Sequence, residues 1–446
     1  MHYYAYEMAH AVVSPLRFSM QALRHTLDWP FNPMAHTTIG KNVRAACEVF
    51  ENVTRRYGKP EFAIRSTQID GIKSSVTEEI VFAKPFCNLV HFRRDPDVTA
   101  QRHDPKVLLV APMSGHYATL LRGTVEAMLR EHEVYITDWV DARDIPLALG
   151  RFDFNDFVDY VIDMVRFIGP DTHVIAVCQP AVPSLVAAAV MASRNDDIQP
   201  ASLVLMGGPI DTRRNPTKVN ELAATRSIDW FENNVISTVP FPHAGFLRPV
   251  YPGFMQLTGF MTMNLERHMN AHMDLFKNLV QGDCDSVKQH QEFYEEYLSV
   301  MDLTAEFYLQ TVKTVFQDHS LPNRTLSHRG EYVDCGAIRT CALMTVEGER
   351  DDICGLGQTE AAQELCSRIP DEMKVHYVQP GVGHYGVFNG TRWRTEIQPR
   401  IREFIRTAEY RRKKGSRVMA TGTESVKKAN GHLNGANGHS ITIAGE

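Results

Sequence analysis

Three residues of this chain have the types, and the order, of a nucleophile, an acid and a base. Cys178 lies in Ala176-Val177-Cys178-Gln179-Pro180, at the end of the apolar run HVIAVC and before the Ala- and Val-rich segment VPSLVAAAVMASRN. Asp351 and Asp352 follow the run TCALMTVEG in GERDDICG, and His384 stands among glycines in GVGHYGVF after KVHYVQP. A thiol nucleophile needs a base to take its proton and a carboxylate to fix that base's tautomer. On a parallel α/β sheet these partners come later in the chain, the acid after a late strand and the histidine after the last one. Cys178, Asp351 or Asp352, and His384 satisfy that order.

Each residue also has a plainer reading. A cysteine at a strand end is most often a small buried hydrophobe, an Asp after a strand is often a turn or helix-capping residue, and His384 could be a solvated loop residue. The pentapeptide departs from the G-x-S-x-G nucleophile elbow, since Ala176 is small but Pro180 stands where glycine is expected. Proline is tolerated in a first helical turn, where its missing N–H would be unpaired anyway. An acyl-transfer site further needs two N–H donors for the oxyanion. The Gln179 backbone N–H is one candidate, and Met113 in Pro112-Met113-Ser114-Gly115 is the other, with Ser114 as its neighbouring alternative. His116 lies at the same rim but in the wrong chain order for the base.

The elements that must position these residues alternate. KVLLVAP (106–112), EVYITDW (133–139), HVIAVC (173–178) and SLVLMGG (202–208) are apolar runs that predict strands. YATLLRGTVEAMLREH (117–132), DFNDFVDYVIDMVRFIG (153–169) and VPSLVAAAVMASRN predict helices between them. Continuous apolar strands separated by helices imply a doubly wound, mostly parallel sheet covered on both faces. The rhythm resumes with TCALMTVEG, helix TEAAQELCSRI, strand KVHYVQP and a helix around TRWRTEIQPRIREFI. We therefore expect an N-terminal helical extension (1–70) packed on the sheet, then a core in two parts (71–210 and 337–410). TEEIVFAKPFCNLVHFRR should form one or two strands, antiparallel and at a sheet edge. Between the core parts, 211–336 is richer in aromatics and methionine, with helical periodicity, and is expected to be a cap or lid. Residues 411–446, basic and rich in Gly, Asn and Ser, are expected to be a disordered tail.

The 446 residues carry a net charge of −6, with 43% hydrophobic and 22% charged residues, the balance of a globular protein with no bulk affinity for nucleic acid. No apolar run approaches the roughly 18 residues of a transmembrane helix, and the N-terminus is a poor secretory signal. A cytosolic location follows as an expectation. The eight cysteines (47, 87, 178, 284, 335, 341, 354 and 366) form no C-x-x-C pair, so reduced thiols are expected, with no zinc site.

The segments APMSGHYATLLRGTV, YITDWVDAR, HVIAVCQPAVP, MGGPIDTRRNPT, WFENNVI, VYPGFMQ, LMTVEGERDDICGLGQT and GHYGVFNG together resemble the intracellular polyhydroxyalkanoate (polyhydroxybutyrate) depolymerases. The resemblance covers about residues 1–410. It implies an α/β-hydrolase fold and a Cys-Asp-His triad that hydrolyses esters of amorphous polyhydroxybutyrate at granules in the cytoplasm, without metal or cofactor. On it, Cys178 is the nucleophile and His384 the base. Related polyester synthases carry D-H-I at the acid, which favours Asp351 over Asp352. Synthases resemble G-x-C-x-G, whereas this chain has Ala176 and Pro180. A synthase-like acyltransferase, a depolymerase using coenzyme A, and an inert granule-coat protein are the competing readings, and a homodimer is left open.

Overall fold

The computed structural model describes residues 2–263 and 265–414; the expected tail beyond 414 lies outside the described residues. Nine strands form the central sheet: β1 (Ser66–Ile69), β2 (Ile72–Lys84), β3 (Cys87–Arg94), β4 (Lys106–Val110), β5 (Glu133–Trp139), β6 (Thr172–Val177), β7 (Ser202–Met206), β8 (Ala342–Gly348) and β9 (Lys374–Gln379). Their spatial order is β1-β2-β3-β5-β4-β6-β7-β8-β9. The pairs β1/β2, β2/β3 and β3/β5 are antiparallel, and every pair from β5 to β9 is parallel. TEEIVFAKPFCNLVHFRR supplies most of β2 and β3, antiparallel as expected, but the edge itself is the short β1 outside them. Every residue of β6, β7 and β8 is buried, as a parallel sheet covered on both faces requires. This order, with one strand reversal and a tight turn after β6, is the α/β-hydrolase fold.

The covering helices are set by local chemistry. Phe154–Ile168 starts with a capping box, in which Asp153 and Asp156 each accept the other's backbone N–H. The segment expected to be one helix over 117–132 is instead a 3-10 turn, Ala118–Leu121, followed by a short helix, Arg122–Met128. It stops there because the chain must turn into β5, and its last carbonyls find other donors, with Arg94 Nη1 bonding Leu129 O at 3.1 Å. The helix expected over TEAAQELCSRI is also shorter, Ala361–Leu365. Before it, the buried Glu347 side chain at the end of β8 accepts the N–H groups of Gly357 (2.8 Å), Thr359 (2.7 Å) and Glu360 (3.0 Å) and holds that stretch as loop.

Between β7 and β8 the chain leaves the sheet. Helices Gly253–Met263, Leu265–Gln281, Cys284–Leu298 and Ala305–Thr311 lie in this stretch, as the periodicity predicts. It also contains a small antiparallel sheet of Ser237–Thr238, Pro249–Tyr251 and Leu303–Thr304, whose strands are too short to show a period of two. The N-terminal helices α1 (His2–Asp28) and α2 (Thr38–Thr54) pack on each other and on this region, rather than chiefly on the central sheet as expected. The reason is specific: Tyr3 Oη donates to the buried Asp302 carboxylate at 2.8 Å, and Tyr6 stacks on Phe254 with centroids 4.1 Å apart. No helix among the described residues is long and apolar enough to cross a membrane.

Candidate active site

The turn after β6 places Cys178. The strand ends at Val177, one residue earlier than expected, and Cys178 takes φ = +67°. A left-handed backbone costs a non-glycine residue roughly 1–2 kcal/mol, so the turn persists only because its surroundings hold it. Cys178 N–H donates to Met206 O at 2.7 Å, and Cys178 O accepts from Ala181 N–H at 3.0 Å, which starts the helix Ala181–Ser193. Pro180 sits at φ −61°, the value its ring imposes, which explains why this elbow takes a proline. The close approach is made elsewhere: a β-carbon on Gly208 would lie 2.1 Å from the Ala181 β-carbon.

Asp351 and His384 meet at the carboxyl ends of β8 and β9. His384 Nδ1 and Asp351 Oδ2 are 2.7 Å apart, with the Asp351 side chain fully buried. The other carboxylate oxygen accepts the N–H groups of Ile353 (2.9 Å) and Cys354 (2.8 Å), so the carboxylate cannot turn without losing them. Asp352 is exposed and makes no such contact. Burial acts to lower the His384 pKa. Asp351 and the Cys178 sulfur act against it, by charge and by hydrogen bonding, and hold it well above the ordinary imidazole value. The three residues are thus in one constellation: nitrogen Nδ1 is committed to Asp351, and Nε2 is left for the thiol.

Gly207 makes room for the pair. It follows β7 at φ = +55°, and a β-carbon there would lie 3.2 Å from His384 Cε1 and 3.4 Å from Asp351 Oδ2. Both glycines of SLVLMGG read from sequence only as a strand end; the paired Gly-Gly before proline was the available signal. Behind them Thr359 Oγ1 accepts Gly208 N–H at 2.8 Å and donates to Gly208 O at 3.0 Å. Glu347 therefore positions the loop that fixes Gly208.

Both residues expected to supply the oxyanion donors line the cavity at Cys178. The Gln179 backbone N–H has no acceptor among the described residues. Met113 N–H donates to Gln179 Oε1 at 3.4 Å, a long bond that a developing oxyanion could replace. The Gln179 amide nitrogen Nε2 is buried without a partner, a donor beside the site that sequence reasoning missed. His116 is buried with Nε2 3.0 Å from Tyr297 O, and burial lowers its pKa to about 4, so it is a neutral structural residue.

Cys178, Gln179, Met113 and His384 open into a cavity of about 460 Å³. Its far walls are apolar, with Leu222, Phe231, Phe260, Phe307, Val312 and Phe316. A largely apolar chamber with a few convergent polar groups is the form of a ligand-binding site. All eight cysteines are free, and Cys178 is the half-buried one at this cavity. Among the described residues no His, Cys, Asp or Glu cluster could hold a metal ion.

Residues 207–409 match the family described as PHB de-polymerase C-terminus. The match spans Asp351 and His384 and begins after Cys178. Among solved structures, a putative lipase from Acinetobacter baumannii is 13% identical, covering 76% of this chain and 93% of that one, with a TM-score of 0.37. A thermophilic esterase from Thermogutta terrifontis is 15% identical, covering 77% and 97%, also with a TM-score of 0.37. No curated protein is similar enough to the chain to count as a relative. By its strand order the chain has the α/β-hydrolase fold, and its residues 207–409 are similar to the C-terminal part of the PHB depolymerases.

Proposed function

We propose that the protein is an intracellular polyhydroxybutyrate depolymerase acting through a cysteine nucleophile. The observation that carries this reading is Cys178 at φ = +67° at the floor of an apolar cavity, beside a histidine held 2.7 Å from a buried aspartate. His384, oriented by Asp351, takes the Cys178 proton, and the thiolate attacks the ester carbonyl. The N–H groups of Gln179 and Met113 hold the oxyanion. His384 returns the proton to the leaving oxygen, giving a 3-hydroxyacyl thioester and an alcohol-ended chain. Water, deprotonated by His384, then attacks the thioester; the C–S bond breaks, the acid leaves and Cys178 regains its proton.

An apolar polyester surface also fits the exterior. Tyr4, Met8, Val12 and Leu16 recur at four-residue spacing along α1 and are all exposed, as are Leu265, Met269 and Met273 on the helix Leu265–Gln281. The test is incubation with native amorphous granules, with and without coenzyme A, and identification of the product. The reading expects soluble 3-hydroxybutyrate or its oligomers without coenzyme A, and none from Cys178→Ala. A product formed only as the coenzyme A thioester would replace hydrolysis by thiolysis, and release by Cys178→Ala would overturn the nucleophile.

A further inference from the structure

A second cavity, of about 550 Å³, meets the first at Phe260, Ile353, His384 and Tyr385. The division between them is chemical. Cys178, Gln179 and Met113 line only the first, so the ester carbonyl and its oxyanion must sit there. The second touches the imidazole but neither the nucleophile nor the oxyanion donors. During acylation the one substrate atom that must approach the imidazole while leaving the thiolate is the ester's leaving oxygen. The C–O bond breaks, that oxygen takes the Nε2 proton, and the fragment it carries departs on the histidine side.

The walls of this cavity say what that fragment carries at its other end. Arg267 lines it and pairs with no carboxylate among the described residues, while the neighbouring Asp274 is paired with Lys277 at 3.0 Å. His268 and His290 also line it, and burial lowers both pKa values, that of His290 to about 4, so away from the catalytic imidazole the cation of this cavity at neutral pH is Arg267. Asp352 directly follows Asp351 and so lies at the catalytic end; from Tyr385 the rings of Tyr297 and Tyr294 lead on, with centroids 6.1 and 6.2 Å apart, to His268, 5.9 Å from Tyr294 and next to Arg267 in the chain. The cavity therefore runs from the imidazole and Asp352 past an aromatic wall to a guanidinium.

We propose that this second cavity is a leaving-fragment subsite that binds the free carboxylate end of a hydroxyacid ester chain, with Arg267 as its anchor, so that short fragments are cut from the carboxyl terminus. In a polymer of hydroxyacids the leaving side always carries that terminus. The proposal rests on the ester-hydrolase reading above. It assigns Asp352 a steering role, keeping the carboxylate away from the imidazole end.

The test compares linear 3-hydroxybutyrate oligomers as free acids, the same oligomers as methyl esters, and p-nitrophenyl butyrate, whose leaving group has no carboxylate. The wild-type protein should favour the free acids, and Arg267→Gln should raise their KM by about tenfold, the worth of one charge-assisted hydrogen bond. KM for the methyl esters and p-nitrophenyl butyrate should stay within about twofold of wild type, and Arg267→Lys should recover part of the loss. Equal treatment of acids and methyl esters by the wild type, or an equal effect of Arg267→Gln on both, would overturn the subsite while leaving the depolymerase reading intact. Cleavage of p-nitrophenyl butyrate with no cleavage of either oligomer would overturn both.

Discussion

Replacing Asp351 by Asn removes a charge and almost no volume, and the hydrogen bonds around it decide what happens next. Two backbone N–H groups, of Ile353 and Cys354, require an acceptor at 2.9 and 2.8 Å. The carboxamide must therefore keep its oxygen toward them and turn its NH₂ toward His384 Nδ1, now a donor facing what was a donor. Nδ1 must become the acceptor, which moves the imidazole proton to Nε2, the nitrogen that should take the Cys178 proton. A base held in the wrong tautomer by such a change in a serine protease lost about 10⁴-fold in kcat. For Asp351→Asn we expect kcat/KM on p-nitrophenyl butyrate to fall about 10³- to 10⁴-fold, or about 4–5.5 kcal/mol. The variant should also shift the acid limb of the pH profile downward, because the base must be unprotonated and burial, which lowers the His384 pKa, then acts against a weaker opposing influence. Asp352→Asn, on an exposed side chain, should stay within about threefold of wild type, as surface substitutions do. The reasoning fails if Asp351→Asn keeps more than about a tenth of the activity, or if Asp352→Asn is the more damaging change.

Gly207→Ala should leave the protein folded but slow. Its β-carbon would press on His384 and Asp351 at 3.2 and 3.4 Å from a left-handed backbone, so kcat should fall about 10- to 100-fold with only about 1–2 kcal/mol lost in denaturant unfolding. Glu347→Ala strips three backbone N–H groups of their acceptor, and should cost about 3 kcal/mol or more by the same measurement. The buried pair Asp141 and Asp302 should add a pH slope. Burial first, then the charge of Asp302, raises the Asp141 pKa, and burial raises that of Asp302. A raised carboxyl pKa gives a contribution that is full below the unfolded value of 3.8 and is lost as pH rises toward the folded value. Stability curves between pH 4 and pH 7 should thus fall less steeply for Asp302→Asn than for wild type.

Strand positions were legible because parallel strands buried on both faces are continuous apolar runs, and KVLLV, EVYITDW and SLVLM appear in the structure almost as written. The order of Cys178, the aspartates and His384 was legible because each follows such a run. What separates Asp351 from Asp352 was not, since it depends on two N–H groups that meet one carboxylate only after the loop folds. The left-handed backbone of Cys178, the room made by Gly207 and the reach of Glu347 across its loop are relations between distant segments with no local pattern. The packing of α1 and α2 against the stretch between β7 and β8 was hidden for the same reason: it turns on Tyr3 meeting Asp302, far apart in the chain.

The central claim is that Cys178 carries the acyl group. It is tested most directly by acid-quenching the protein during turnover of 3-hydroxybutyrate oligomers, then measuring intact mass and mapping the modified peptide. The account predicts a 3-hydroxyacyl adduct on the peptide bearing Cys178, released by hydroxylamine and absent from Cys178→Ala. An adduct on any other residue, or turnover by Cys178→Ala at the wild-type rate, would contradict it.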